Sequence, residues 1–231
     1  MTSVDSTTAM ATIGRITSAM TSTLRRCILV IALAALPIVA IAVVLRLDVI
    51  KFAYMRGRFD LHSAQVTAGI LMCYVGGVPA FGLRDFLNRV FHSLQDTKAP
   101  FRVSCLVVGL NIALNLILRI FLGATGLALA TSIAGTAGMI TLLLLLKKRF
   151  KRLGFSRILP DLAKIVAASL VCAAVCALLD RALPPAMGTG RVFVRLVACT
   201  AASMAAYIVA CGLLRVRTVR VFASEVLRRR R

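Results

Sequence analysis

The stretch from Phe101 to Leu146, FRVSCLVVGLNIALNLILRIFLGATGLALATSIAGTAGMITLLLLL, decides the fold of this chain. It contains only two charged residues, Arg102 and Arg119. A helix of about 20 apolar residues is long enough to cross the ~30 Å hydrocarbon core of a bilayer. The stretch therefore predicts two membrane-spanning helices, over residues 101–122 and 125–146.

Similar apolar runs occur on both sides of this pair. Together the runs predict six transmembrane helices, over residues 27–50, 64–83, 101–122, 125–146, 159–179 and 192–214. Helices are expected because a segment in lipid must satisfy every backbone N–H and C=O group internally. Strands of a barrel would need a turn about every ten residues, and these runs have none. The expected fold class is an all-α integral membrane protein.

The composition agrees with this fold class. The 231 residues are 60% apolar and 16% charged, with a mean hydropathy of +0.92. A soluble domain is about half apolar and about a quarter charged. The net charge of +21 could suggest a nucleic-acid partner, but the chain has no Trp and only three Tyr. Since the cations flank apolar runs, we interpret them as topology signals and expect no nucleic-acid partner.

Lys and Arg are distributed unevenly between the two sides of the predicted bundle. The side that holds both termini carries 21 of the 29 cations. The other side carries Arg46, Lys51, Arg56, Arg58, Arg119, Arg181, Arg191 and Arg195. The positive-inside rule then predicts a multi-pass protein with both termini in the cytoplasm. The expected organisation is a cytoplasmic segment over 1–24, a six-helix domain over 25–214 and a basic cytoplasmic tail over 215–231.

Motifs of enzymes are missing from the sequence. There is no GxSxG, P-loop, HExxH or Gly-rich dinucleotide-binding turn. The acidic residues lie in predicted loops or at the ends of spans, so no carboxylate pair is expected within the membrane. The seven cysteines lie in or beside apolar runs without a CxxC pair, which favours packing over zinc binding. We therefore do not expect this chain to be an enzyme.

Several residues inside the spans are unusual for a lipid environment. Asn111 and Asn115 share one face of the third span, and Thr131 lies in the fourth. Their oxygen atoms suit a small cation such as Na⁺. The alternative is hydrogen bonding between neighbouring helices, which composition alone favours. Pro37 and Pro79 also lie inside spans and are expected to kink them.

Four stretches carry a family resemblance. They are Met55-Arg-Gly-Arg-Phe-Asp60, Tyr74-Val-Gly-Gly-Val-Pro-Ala-Phe81, Arg89-Val-Phe-His-Ser-Leu-Gln-Asp-Thr-Lys-Ala-Pro100, and Asn111 and Asn115 followed by Gly126-Leu-Ala-Leu-Ala-Thr-Ser132. In order and spacing they resemble the MurJ (MviN) lipid II flippase family, within the superfamily of multidrug and oligosaccharidyl-lipid exporters. The six spans resemble the last six of the family's fourteen.

The resemblance implies a part of a flippase for the peptidoglycan precursor linked to undecaprenyl pyrophosphate. The family moves this lipid across the bacterial inner membrane by alternating access. Its cationic cavity uses arginines mainly on spans absent here. We therefore expect the chain to be inactive alone and to need the missing N-terminal lobe. The alternatives are an exporter of another lipid-linked saccharide and a truncated, non-transporting membrane remnant or scaffold.

The resemblance also implies a sodium ion as the one candidate cofactor. Carried over to this sequence, its ligands would be Asn111, Asn115, the backbone carbonyl of Leu127 and the hydroxyl of Thr131. The family's site has an Asp where Asn115 stands and takes another Asp from an earlier span. Because both carboxylates are missing here, we expect poor cation affinity.

Overall fold

The computed structural model describes residues 2–54, 60–149, 159–182 and 189–214, except for the side chains of 2–20, 61 and 189. The tail predicted over 215–231 and residues 55–59 of the first motif lie outside the described residues. Within the described ranges all regular structure is helical. The helices are α1 (Thr2–Val44), α2 (Arg46–Tyr54), α3 (Leu61–Ser93), α4 (Lys98–Arg149), α5 (Leu159–Ala182) and α6 (Thr189–Leu213).

Five of these helices, all except α2, are long and apolar enough to cross a membrane. The all-α membrane fold is therefore confirmed. The fourth helix, α4, is 52 residues long, and a straight helix of that length would measure about 78 Å. That is more than twice the thickness of the hydrocarbon core, so α4 must be bent to fit the membrane.

The bend in α4 lies at Gly123, whose backbone is non-helical with φ 57° and ψ −132°. Glycine adopts such a conformation readily because it has no Cβ. Asn111 and Thr131 would be about 30 Å apart in a straight helix. Instead Asn111 Nδ2 lies 3.3 Å from Thr131 Oγ1. The helix is therefore a hairpin with arms over 98–122 and 124–149, and these arms are the third and fourth spans that the sequence predicts.

The second arm of α4 packs closely against the first arm and against α3. Ser132 Oγ donates a hydrogen bond to the Cys73 carbonyl at 2.6 Å, and a Cβ at Gly135 would overlap the ring of Phe81. Residue numbers rise together along α3 and this arm, so the two helices run parallel. The small residues that face these contacts are buried: Gly126, Ala130, Ala134, Gly135 and Gly138.

α5 and α6 form a second unit on the other side of α1. They are antiparallel, with Cys172 Sγ donating to the Ser203 carbonyl at 3.3 Å. Their core with α1 contains Leu29, Ile41, Leu45, Ile165, Ala168, Cys172, Cys176, Cys199, Tyr207, Ala210 and Cys211. A separate core joins α3 and α4, and α1 contributes Leu24 to it. α1 therefore belongs to both units. The short helix α2 also joins them, because Ile50 packs against α3 and Phe52 lies beside Phe193 of α6.

Two predicted span boundaries differ from the observed helices. The first span was expected over 27–50, but α1 ends at Val44 and the short helix α2 follows Leu45. The apolar run ends at that point because Arg46, Asp48 and Lys51 belong to α2. The second span was expected to end at residue 83, but α3 continues to Ser93. Polar residues interrupt a hydropathy pattern without interrupting a helix.

Asp96 closes the turn between α3 and α4. Its Oδ1 accepts a hydrogen bond from the Ala99 backbone N–H at 3.2 Å, as a helix-capping side chain does. Its Oδ2 lies 2.6 Å from Nη1 of Arg149, in the last turn of α4. The Ala99 N–H, and then the Arg149 guanidinium, hold the pKa of Asp96 below its usual range. Asp96 therefore fastens both ends of the hairpin to one turn.

We expect Gly126→Ala to destabilise the chain, because the new Cβ would overlap the backbone oxygen of Leu118 in the opposite arm. Overpacking of this kind costs about 1–3 kcal/mol or more. Gly109→Ala is the matched control in the same helix, since nothing lies within 4 Å of its Cβ position. Thermal unfolding in detergent should show a lower midpoint for Gly126→Ala alone. Equal midpoints for the two variants would contradict the close packing of the arms.

The lowered pKa of Asp96 predicts a loss of stability in acid. A group with a depressed folded pKa stabilises the fold above its unfolded pKa, about 3.9 for Asp. That contribution disappears as the pH falls through the lower folded pKa. Asp96→Asn should therefore reduce the difference between unfolding midpoints measured at about pH 7 and about pH 3. An equal difference in the parent chain and in Asp96→Asn would contradict this role of the carboxylate.

Candidate functional site

The structure brings together the four residues predicted to bind sodium. Asn115 Nδ2 donates to Asn111 Oδ1 at 2.8 Å, and Asn111 Nδ2 donates to Thr131 Oγ1 at 3.3 Å. Thr131 Oγ1 in turn donates to the Leu127 carbonyl at 3.0 Å. The four residues therefore form one continuous chain of hydrogen bonds across the two arms of α4.

This chain of bonds leaves one oxygen without a donor. Asn115 Oδ1 is buried and has no hydrogen-bond partner. A buried amide oxygen in that condition is costly and is a suitable ligand for a donor group or a cation. The remaining oxygens already accept or donate within the hairpin. These side chains thus form the hydrogen bonds between helices that composition favours. One oxygen atom, Asn115 Oδ1, remains available to a further ligand.

A second polar site lies deeper in the same bundle, on α3. The side chain of Arg84 packs against Gly138, with its Cδ and Nε 3.4 Å from the Cβ position of that glycine. Gly138 is about 22 Å along the second arm from Gly123 and about 16 Å from Arg149, at 1.5 Å per residue. Arg84 therefore lies beside the middle of the second arm of α4.

Neither Arg84 nor its neighbour one turn later has its polar atoms fully paired. Arg84 Nε and Asn88 Oδ1 are buried and have no hydrogen-bond partner. Among the described residues no carboxylate forms an ion pair with Arg84. Buried polar and ionisable groups without a partner are costly, so they often mark a functional site. Arg84 and Asn88 are therefore the second candidate site.

The predicted span over 64–83 leaves Arg84 among the loop residues, but in the structure Arg84 lies inside α3, which continues to Ser93. The hydropathy pattern ended the second span at residue 83, so the next cation was assigned to a loop. A different signal could have found the site. Gly77, Phe81, Arg84 and Asn88 are spaced four, three and four residues apart, which puts them on one helical face. That face contacts the second arm of α4 at Ser132, Gly135 and Gly138.

Comparison with known proteins identifies the family. The family model described as "Lipid II flippase MurJ" matches residues 6–198. This chain belongs to the MurJ family. A solved MurJ structure, "Lipid II flippase MurJ, inward closed conformation", is similar to the chain with a TM-score of 0.64 and 26% sequence identity. The resemblance read from the four sequence stretches is confirmed.

The similarity covers most of this chain but a minor part of each MurJ relative. The solved structure is matched over 79% of this chain and 36% of its own. The lipid II flippase MurJ of Thermosipho africanus is 37% identical over 99 residues, or 43% of this chain and 21% of the relative. The probable lipid II flippase MurJ of Thermotoga maritima is 33% identical over 141 residues, or 61% and 28%. The chain thus spans about a fifth to a third of these relatives' length.

The sodium prediction depends on the chemistry of these four residues. The donor set of this chain consists of amide, hydroxyl and carbonyl oxygens without a negative charge. Neutral oxygens suit Na⁺ in type, but carboxylates provide much of the affinity of such sites. The resemblance predicts a carboxylate at position 115, where this chain has the buried amide oxygen of Asn115. Sodium binding by Asn111, Asn115, Leu127 and Thr131 remains a prediction, with Asn115 as the residue that limits its affinity.

We expect Asn115→Asp to increase the stabilisation of the chain by sodium, because the new carboxylate adds charge next to Asn111, whose amide contacts the hydroxyl of Thr131. The measurement is thermal unfolding in NaCl compared with choline chloride at equal ionic strength. Thr131→Val in the Asn115→Asp background should remove the increase. A sodium effect that is the same in all three chains would contradict the prediction and leave the hydrogen bonds of the hairpin as the role of these residues.

Proposed function

We propose that this chain forms part of a lipid II flippase in the bacterial inner membrane. The main support is the family match over residues 6–198. The bundle of apolar helices also resembles a solved MurJ structure. The proposed activity is transport of a lipid-linked peptidoglycan precursor rather than chemical catalysis. It is assigned to a larger assembly that includes the family's N-terminal lobe, because the chain corresponds to about a third of the solved protein.

The proposed orientation places the cation-rich ends of the helices in the cytoplasm. α1, the first arm of α4 and α5 run in one direction, and α3, the second arm and α6 run in the other. Because the helix directions alternate in this way, successive loops lie at opposite ends of the bundle. The uneven distribution of Lys and Arg between the two sides depends on this arrangement. Both termini would then face the cytoplasm.

Within this function, Arg84 is the residue that we propose to meet the anionic headgroup. Lipid II carries a pyrophosphate, and an arginine at membrane depth needs a partner for its charge. Arg84 Nε has none among the described residues. A phosphate oxygen can accept charge-assisted hydrogen bonds from a guanidinium. The lobes would rock about a site near the middle of the membrane, as in other transporters built from repeated bundles.

Two other functions make different predictions. An exporter of another lipid-linked saccharide would use the same bundle and the same anionic headgroup. A non-transporting remnant or scaffold would need neither Arg84 nor a second lobe. Depletion separates these functions. Loss of a different glycan would indicate the other exporter, and loss of no glycan would indicate the remnant or scaffold.

The test is depletion of the chain in its native cells, followed by rescue. We expect depleted cells to accumulate lipid II and lose peptidoglycan while their surface glycans are unchanged. Loss of a surface glycan alone would favour the other exporter. Normal growth with both peptidoglycan and surface glycans unchanged after depletion would contradict both transport functions.

Rescue by Arg84 variants tests the headgroup contact. We expect Arg84→Gln to reduce lipid II translocation by about 10-fold or more, as the loss of hydrogen bonds to a charged group implies, and Arg84→Lys to retain part of it. Arg119→Gln is the matched control, since this exposed cation lies near the tip of the α4 hairpin. Full rescue by Arg84→Gln would exclude Arg84 from the transport path.

A further inference from the structure

Pro37 leaves a gap in the hydrogen bonding of α1. An N–H in an α-helix donates to the carbonyl four residues earlier, and proline has no N–H. The carbonyl of Leu33 therefore lacks its donor within α1. The side chain of Pro37 is fully buried, so this part of the helix is enclosed by protein. A carbonyl in such a place needs another donor.

Tyr207 of α6 supplies that donor. Its hydroxyl donates to the Leu33 carbonyl at 2.9 Å, although the two residues are 174 positions apart in the chain. Tyr207 is only 5% exposed. A backbone bond missing from one helix is thus replaced by a side-chain bond from another. The shape of α1 at Pro37 and the position of α6 are therefore linked.

Ion pairs hold the same two units together at the ends of the helices. At one end, Arg25 of α1 lies 2.6 Å from Asp161 of α5. At the other end, Arg195 of α6 lies 2.7 Å from Asp180 of α5 and 3.5 Å from Asp48 of α2. Between these ends, a hydrogen bond from Tyr207 links α6 to α1. This bond lies at the only proline in α1.

We propose that Pro37 and Tyr207 form a hinge and its latch. With the bond made, α1 is locked against α6 in the observed shape. When α6 moves away, the Leu33 carbonyl loses its donor. α1 then bends at Pro37, because the backbone hydrogen bond that would oppose bending is missing there. Because α1 packs against α3 and contributes Leu24 to the second core, the bend transmits movement of the α5–α6 pair to the rest of the bundle. The device stands on the geometry of α1 and α6 and does not depend on lipid II.

A double-mutant cycle at Tyr207 and Pro37 tests this device. Tyr207→Phe removes one oxygen atom and leaves the ring in place. Pro37→Ala restores an N–H that can donate to Leu33. The hydroxyl should matter when residue 37 is proline and should lose its importance when residue 37 is alanine.

Buried cysteines provide the readout. Cys172, Cys176, Cys199 and Cys211 are enclosed in the core between α1, α5 and α6, and Cys105 is exposed on α4. The full chain is placed in lipid nanodiscs and treated with a maleimide. Mass spectrometry of its peptides gives the labelling rate of each thiol. Opening of the α5–α6 pair exposes the four buried thiols and leaves Cys105 unaffected.

We expect Tyr207→Phe to speed labelling of the four buried cysteines by about five-fold or more, the effect of losing one hydrogen bond on an opening equilibrium. In the Pro37→Ala background the same substitution should change the rates less than about two-fold. Tyr74→Phe, which removes a hydroxyl from a partly exposed side chain of α3, is the matched control and should have no effect.

Other outcomes also decide the proposal. An equal effect of Tyr207→Phe in both backgrounds would overturn it, because the hydroxyl would then act independently of Pro37. The absence of any effect would overturn it as well. If Tyr207→Phe prevents folding, rescue by Pro37→Ala supports the latch, and failure to rescue contradicts it.

Discussion

A backbone group inside a bilayer has no water to bond to, and every other feature of this chain depends on that constraint. It forces the apolar runs to be helical. It also requires side chains to bond the backbone groups that are left unpaired at a turn or at a proline. At the start of α4 the Asp96 carboxylate accepts the Ala99 N–H. At Pro37 the phenol of Tyr207 takes over a bond that α1 cannot make for itself.

Packing between these helices follows from the size of their side chains more than from their hydrophobicity. Lipid tails are as apolar as leucine, so association in a membrane relies on close contact and hydrogen bonds. The second arm of α4 supplies that contact with glycine, alanine and serine, and its backbone approaches both the first arm and α3. The α5–α6 pair instead uses a core of cysteines and larger residues against α1. α1 therefore joins two units built in different ways.

Much of this architecture can be predicted from the sequence, because apolar run length and backbone satisfaction determine it directly. The apolar helices follow from the length of the apolar runs, and the small residues Gly126 and Gly138 indicate close packing of the fourth span. The meeting of Asn111 and Thr131 is implied by the family resemblance. The position of Arg84 does not, because a hydropathy window ends at the first cluster of charges while α3 continues to Ser93. The bond from Tyr207 to Leu33 is equally invisible, since no local pattern links residues 174 positions apart.

The charges in the described part of the bundle divide into those that hold helices together and those that remain available. Asp161, Asp96, Asp180 and Asp48 all lie at helix ends, and each is close to an arginine. These pairs fasten the ends of the bundle and neutralise one another there. Arg84 differs in both respects, because it lies along the middle of the α4 arm and its Nε has no partner. A structural role would be better served by an apolar side chain at that depth, since burying a charge without a partner costs stability. A transporter of an anionic lipid, in contrast, needs a cation whose partner arrives with the substrate.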